Sequence, residues 1–218
     1  FLMDKFSSSF SANISGKPSP TKAEHVIDDL YGKIDYIIDG GKVDIGLEST
    51  IVDVTGSIPN ILRPGYITTQ MIEDVVGPVR IDKAITAKEY NSNIVAKAPG
   101  MKYKHYAPKG ELIIFEGEIE KVINKINKMT KQKSDQGHLV GIIATDETFN
   151  SYIQGDVKII GSRKDEETIA RGLFEILRDF DHDGVDYIFA ESFESNNLGQ
   201  AIMNRLLKAA GYCVVKVD

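Results

Sequence analysis

From residue 110 onward, short apolar runs alternate with stretches of helical period, and few folds accommodate that pattern. Leu112, Ile113, Ile114 and Phe115 form the first run, and residues 139–144, 157–160, 185–190 and 214–217 form the others. Between them, residues 119–129 place Val122, Ile123, Ile126 and Met129 on one face, and residues 166–180 turn Ile169, Leu173, Ile176 and Leu177 inward. Residues 199–210 form a third helix, ended by Gly211. Apolar runs without polar alternation are strands covered on both faces, and the intervening helices supply the crossovers. The pattern predicts a three-layer, largely parallel α/β sheet of Rossmann-like type. Such sheets often hold nucleotides, but no glycine-rich phosphate loop follows the first strand. Phe115-Glu116-Gly117-Glu118 puts acid where phosphate would sit, so the fold alone carries no functional reading.

The first half reads differently. Residues 1–10 are a serine-rich run between phenylalanines and do not begin with methionine. Residues 11–21 are a loop of hydroxyl residues, Asn13, Gly16, Pro18 and Pro20. Thr21, with Glu24 three positions on, predicts a capping box for a helix over 22–31. A donor-rich loop at a helix start suits an anion, and equally suits a structural turn. Residues 34–39 alternate toward a short strand, and Gly40-Gly41 turns the chain. Gly46 then bends it into a β-branched strand through residue 54, with Glu48, Ser49 and Thr50 at its entry. Those three can touch a ligand; equally, Glu48 can merely cap a turn, and Ser49 and Thr50 merely satisfy nearby backbone. Ile61 and Leu62 lead to Arg63 at a strand end before Pro64-Gly65, where a guanidinium is aimed for a phosphate or carboxylate fork, or for a surface salt bridge. Thr68 or Thr69 caps a helix to about Val76, and residues 83–98 are irregular.

Residues 99–108, Pro-Gly-Met-Lys-Tyr-Lys-His-Tyr-Ala-Pro, join the halves. A proline bounds each end, and tyrosines, lysines and a histidine fall without helical or strand period. A pure spacer is rich in Gly and Ser. This strip predicts an ordered strap lying over a ligand or a neighbouring surface. His105 fits either a base that titrates near neutrality or a side chain that fixes the strap through backbone hydrogen bonds.

Composition narrows the classes. With 42% hydrophobic and 27% charged residues, the chain is an ordinary globular one. The apolar run 185–190 is broken by Asp186 and falls far short of the roughly 20 residues a bilayer requires, so no membrane span is expected. One cysteine, Cys213, excludes an internal disulfide and points to a reducing cytoplasm; its valine neighbours predict a core position. His25, His138 and His182 are scattered, and no metal site follows from them. Residues 1–110 carry 13 basic and 13 acidic residues, against 26 and 32 for the whole chain, so the second half holds all the excess acid. Strong direct nucleic-acid binding is not expected, since that rests on neutralising phosphates with Lys and Arg.

Four motifs in register, Ser11-Ala12-Asn13-x-Ser15-Gly16, Gly46-x-Glu48-Ser49-Thr50, Leu62-Arg63-Pro64-Gly65 and the strap ending His105-Tyr106-Ala107-Pro108, resemble the threonylcarbamoyl-AMP synthase family in its longer two-domain form. The likeness runs along nearly the whole chain from Ser11. It implies residues 1–98 as part of a twisted, YrdC-like α/β catalytic domain, 99–109 as an ordered linker over the active site, and 110–218 as a smaller Rossmann-like domain. It also implies a nucleotidyltransferase that condenses L-threonine, bicarbonate and ATP into threonylcarbamoyl-AMP and pyrophosphate. The product would pass to tRNA threonylcarbamoyl-transferase proteins for tRNA modification. Carried over by motif, Ser11 and Ser19 contact ATP and Asn13 shapes their loop. Arg63 pairs with nucleotide phosphate, and Tyr106 or Tyr103 closes over the nucleotide. Ser49 lies beside threonine, with Ser9 where a small residue of the threonine pocket belongs. Mg²⁺ is expected with ATP, held by phosphate rather than by a protein cage.

The family's catalytic domain carries a basic cluster and further threonine-pocket residues ahead of the Ser-Ala-Asn loop. None is in this sequence, so the chain reads as the later portion of such an enzyme, with Arg63 and a few lysines left to offset the triphosphate. A different class is also open: a noncatalytic regulatory or partner-docking module built on the α/β domain.

Overall fold

In the computed structural model, which describes residues 12, 14–86, 105–194 and 197–218, the chain forms two sheets. The first half supplies α1 (Ala23–Leu30), β1 (Ile51–Asp53), β2 (Asn60–Arg63), α2 (Thr69–Val76), β3 (Arg80–Ile81) and α3 (Lys83–Thr86). The second half runs β4 (Glu111–Gly117), α4 (Ile119–Asp135), β5 (Val140–Ala144), a 3-10 turn (Phe149–Ser151), β6 (Asp156–Ile159), α5 (Glu166–Asp183), β7 (Tyr187–Glu191), α6 (Asn197–Ala209) and β8 (Val214–Val217).

The larger sheet has the order β6-β5-β7-β4-β8, with every pairing parallel. Side chains alternate across it as strand geometry requires. Leu112 and Ile114 face one core with α5 and α6, while Ile113 and Phe115 face a second with α4. Phe174, Leu177, Ile202 and Leu206 fill the first layer; Val122, Ile126 and Phe189 fill the other. The three-layer parallel arrangement is the expected one, and α4 and α5 extend beyond their expected ends. Cys213 is exposed rather than core, because it lies in the turn ahead of β8, where its carbonyl accepts from Ile114 N–H at 3.0 Å.

In the smaller sheet, β2 pairs antiparallel with β1 and parallel with β3. Four expectations for this half give way, one being that residues 83–98 are irregular, since Lys83–Thr86 form α3. Residues 34–39 form no strand: Tyr36 and Ile38 are 89% and 94% exposed, and none of the described strands pairs with them. The strand expected through 46–54 shortens to β1, and β3 was not expected at all. Thr21 does not cap α1, because Lys22 holds the cap position in extended backbone; Thr21 N–H donates to His25 Nδ1 at 3.1 Å instead. Thr68 does cap α2, accepting from Met71 N–H.

Charged contacts hold the halves together. Arg178 of α5 donates to the carbonyl of Pro18 and to Asp29 of α1, whose side chain is 2% exposed and also pairs with Lys17. Glu175 receives Lys22 and Lys42, Arg171 donates to the carbonyl of Asp44, and Tyr66 donates to Glu167.

Candidate functional site

Two glycines explain how the loops of the first half converge. Gly46, at φ +75°, sits so close to α5 that a Cβ there would lie 2.5 Å from Arg171 Cα. Gly65, after the Arg63-Pro64 turn, lies where a Cβ would meet Thr50 N at 2.5 Å and Glu48 O at 2.6 Å. Absent side chains thus let segment 46–50 dock on α5 and let the turn after β2 lie flush on segment 48–50. The segment carrying Ser49 and the one carrying Arg63 become a single surface.

On that surface Arg63 turns toward Ser49, its Nε donating to the Ser49 carbonyl at 3.0 Å and its Nη2 to the hydroxyl at 3.3 Å. Ser19, from the loop ahead of α1, donates to Glu48 Oε1 at 2.6 Å. The strap enters beside them. His105 N–H donates to the carbonyl of Lys208, and Ala107 N–H to that of Gly16, so residues 105–107 bridge α6 and the loop ahead of α1. Tyr106 between them takes φ 63°, a left-handed conformation uncommon for a non-glycine residue, and is 5% exposed with its ring on Phe174.

Helix α6 closes the cluster from below. Arg205, 1% exposed at its side chain, donates from Nε to Glu48 Oε2 at 3.0 Å and from Nη1 to the Pro64 carbonyl. One turn on, Lys208 is buried, with Nζ donating to Asn204 Oδ1 at 3.0 Å. Burial raises the Glu48 carboxyl, but Arg205 and the Ser19 hydroxyl outweigh it and hold the group below its ordinary range. Loss of water, then the charges of Arg205 and Arg63, brings Lys208 down to about 8. Burial, with Lys208 next, keeps His105 below its ordinary value. Burial and Glu48 raise the Tyr106 phenol, against Arg205 and Arg63. Arg63, Arg205 and Lys208 thus gather in one cluster with Glu48, whose carboxylate pairs with Arg205, and such a concentration of cations favours an anion.

Of the residues the sequence nominates, Ser19, Ser49, Arg63 and Tyr106 come together here. Ser9, Ser11, Asn13 and Tyr103 lie outside the described residues. Sequence reasoning missed Arg205 and Lys208 and treated Glu48 as a possible turn cap. A signal was present: on α6 the inward face reads Ala201, Ile202, Arg205, Leu206, Ala209, with Lys208 also buried, and cations on an apolar face mark a site. Beside Ser19 and Glu48 a cavity of about 560 Å³ opens between α1, residues 34–48 and Phe174, lined mainly by apolar groups such as Val26, Leu30 and Val43. Among the described residues, no group of three or more His, Cys, Asp or Glu is placed to hold a metal, and no helix is long and apolar enough to cross a membrane.

Fold and site define an α/β protein with a cation-rich cluster where its two halves meet under a tyrosine-bearing strap. Residues 67–211 match the family model described as threonylcarbamoyl-AMP synthase, C-terminal domain, and residues 3–65 match one described as telomere recombination. The chain belongs to the threonylcarbamoyl-AMP synthase family. It is 49% identical over 207 residues to the threonylcarbamoyl-AMP synthase of Pyrococcus abyssi, covering 95% of this chain and 58% of that protein. It is 47% identical over 206 residues to that of Bacillus subtilis, covering 94% of this chain and 57% of the relative. A crystal structure of Pyrococcus abyssi Sua5 complexed with L-threonine superposes with a TM-score of 0.84 at 47% identity, over 95% of this chain and 58% of that one. The chain therefore spans somewhat more than half the length of these relatives.

Proposed function

We propose that this chain is the later part of a threonylcarbamoyl-AMP synthase, and that its cluster of Ser19, Ser49, Arg63 and Tyr106 forms one wall of the site where L-threonine, bicarbonate and ATP meet. The supporting observation is convergence. Residues from four separated segments, each nominated by motif, meet around a buried surplus of positive charge. The solved relative in complex with L-threonine supports the same reading.

In this reading threonine's amine adds to carbon dioxide or bicarbonate to give a carbamate, whose oxygen attacks the ATP α-phosphorus and expels pyrophosphate. The protein's task is to position the reactants and to neutralise phosphate charge. Arg63, steadied by Ser49, offers its planar fork to nucleotide phosphate. The Ser49 hydroxyl, exposed beside it, faces threonine. Ser19 contacts ATP, and Tyr106 covers the nucleotide from the strap. With no carboxylate cluster among the described residues, Mg²⁺ enters as the counter-ion of the triphosphate, where it screens phosphate charge. A cytoplasmic location and delivery of the product to tRNA threonylcarbamoyl-transferase proteins complete the proposal.

Calorimetric titration with MgATP, with and without L-threonine and bicarbonate, tests it. Binding that tightens with threonine is expected, and Arg63→Ala should weaken MgATP about tenfold through loss of the charged fork. No binding by a chain that melts cooperatively overturns the reading for this chain. An unchanged affinity in Arg63→Ala removes the role given to Arg63.

A further inference from the structure

Arg205 belongs to the second half of the chain, yet each described segment bearing a candidate ligand residue is tied to it or to its own helix. Its Nε holds Glu48 Oε2; Glu48 Oε1 holds the Ser19 hydroxyl, and Ser49 is the next residue. Its Nη1 holds the Pro64 carbonyl, adjacent to Arg63. One turn away, the Lys208 carbonyl holds the strap at His105, next to Tyr106. Its Nη2 is buried without a hydrogen-bond partner among the described residues. A buried guanidinium left short of one bond is a poor stabiliser, since apolar side chains of similar size usually serve a core as well or better. Its geometric effect is large by contrast, because one planar group sets the spacing of two loops from unrelated parts of the chain.

We infer that Arg205 is a positioning residue by which α6 sets the geometry of the ligand groups at Ser19, Ser49 and Arg63, so that the second half of the chain governs affinity at a site composed largely of the first. The inference rests on the function proposed above for those groups. Arg205 itself touches loops and Glu48; it acts on the ligand through them.

Two measurements separate this inference from that function. Amide hydrogen exchange needs no ligand. Arg205→Met should speed exchange in residues 17–20, 46–50 and 62–66 while leaving the strands β4, β5 and β7 as protected as before. Glu48→Gln, which keeps the guanidinium and its bond to Pro64, should speed the first two segments and spare the third. Unchanged exchange in those segments in Glu48→Gln, or in a folded Arg205→Met, overturns the inference.

The second measurement is MgATP affinity against pH. Arg205→Met should bind about tenfold more weakly at neutral pH, the scale of a small misplacement of binding groups. With the guanidinium gone, Glu48 protonates more readily and holds the Ser19 hydroxyl less strongly, so affinity in Arg205→Met should fall more on acidification than it does in the wild-type chain. The groups acting on Glu48 are Ser19, Arg205, Lys208, His105 and Tyr106, with Arg63 beyond them acting on Lys208 and Tyr106. His105 is common to all variants, so the double variant Arg205→Met with Glu48→Gln isolates Glu48 and should lose that acid sensitivity. A core defect alone would weaken binding equally at every pH, and that result refutes positioning. A wild-type chain that does not bind MgATP refutes the proposed function, and the exchange experiment then decides the positioning by itself.

Discussion

Lys208 makes the stability of this protein rise with pH over a range where most proteins gain nothing. Its ammonium is buried among Arg205 and Arg63, and its pKa falls from the ordinary 10.5 to about 8. The unfolded chain therefore keeps a proton that the folded chain gives up between those values, so unfolding free energy climbs as pH rises through the window. At about 1.4 kcal/mol per pKa unit, the full gain is about 3 kcal/mol, of which about 2 kcal/mol is realised between pH 7 and pH 9.5. Beyond about pH 10 the buried phenols of Tyr106 and Tyr152 and the half-buried one of Tyr212, whose pKa values are raised, act in the opposite sense. Urea titrations followed by far-ultraviolet circular dichroism, at half-unit steps from pH 7 to 9.5, measure the slope. Lys208→Met removes the titrating group while keeping the packing of its stem, and other titrations cancel in the difference between the two chains. The difference should be about 2 kcal/mol across the range, with the variant at least as stable as wild type at pH 7. Parallel curves for the two chains would refute the claim that Lys208 is carried as a strained cation.

The contact between the halves gives a second prediction. Asp29→Ala strands Arg178, whose side chain is 10% exposed, without its carboxylate and should cost about 3 kcal/mol in urea unfolding; a loss under 1 kcal/mol would mean that water already satisfies the pair. Gly65→Ala places a methyl against Thr50 N and Glu48 O. It should cost about 2 kcal/mol and weaken MgATP together, because the Arg63 turn is pushed off the Ser49 segment; stability lost with binding intact would dissociate the turn from the site.

The second half was legible because a strand covered on both faces needs no alternation, and residues 112–115 and 139–144 show none. The first half was less so, because its order rests on contacts far apart in sequence. Ile34, Tyr36 and Ile38 alternate as a strand should, but alternation specifies a strand only where a partner strand completes the hydrogen bonds. At the site, Arg63 and Tyr106 could be nominated from their motifs. Arg205 and Lys208 carried a weaker signal, cations on the apolar face of α6, and only the packed fold shows that the face is buried and that Arg205 pairs with Glu48. Those contacts also bear on the idea of an independent docking module, since they tie the α/β half to residues 16–66 through backbone as well as side chains.

The strand order of the larger sheet sets a timetable for synthesis. β4 is the first of its strands to leave the ribosome, but its neighbours are β7 and β8, the last two. Until residues 187–217 emerge, Leu112, Ile113, Ile114 and Phe115 have neither edge paired, and α6, with the guanidinium that organises the ligand loops, is not yet made. Non-local pairing of this kind folds slowly and leaves apolar edges open to association. The nascent first half therefore spends most of translation without the helix that aligns it, and binding competence arrives late, with the closing of a single sheet.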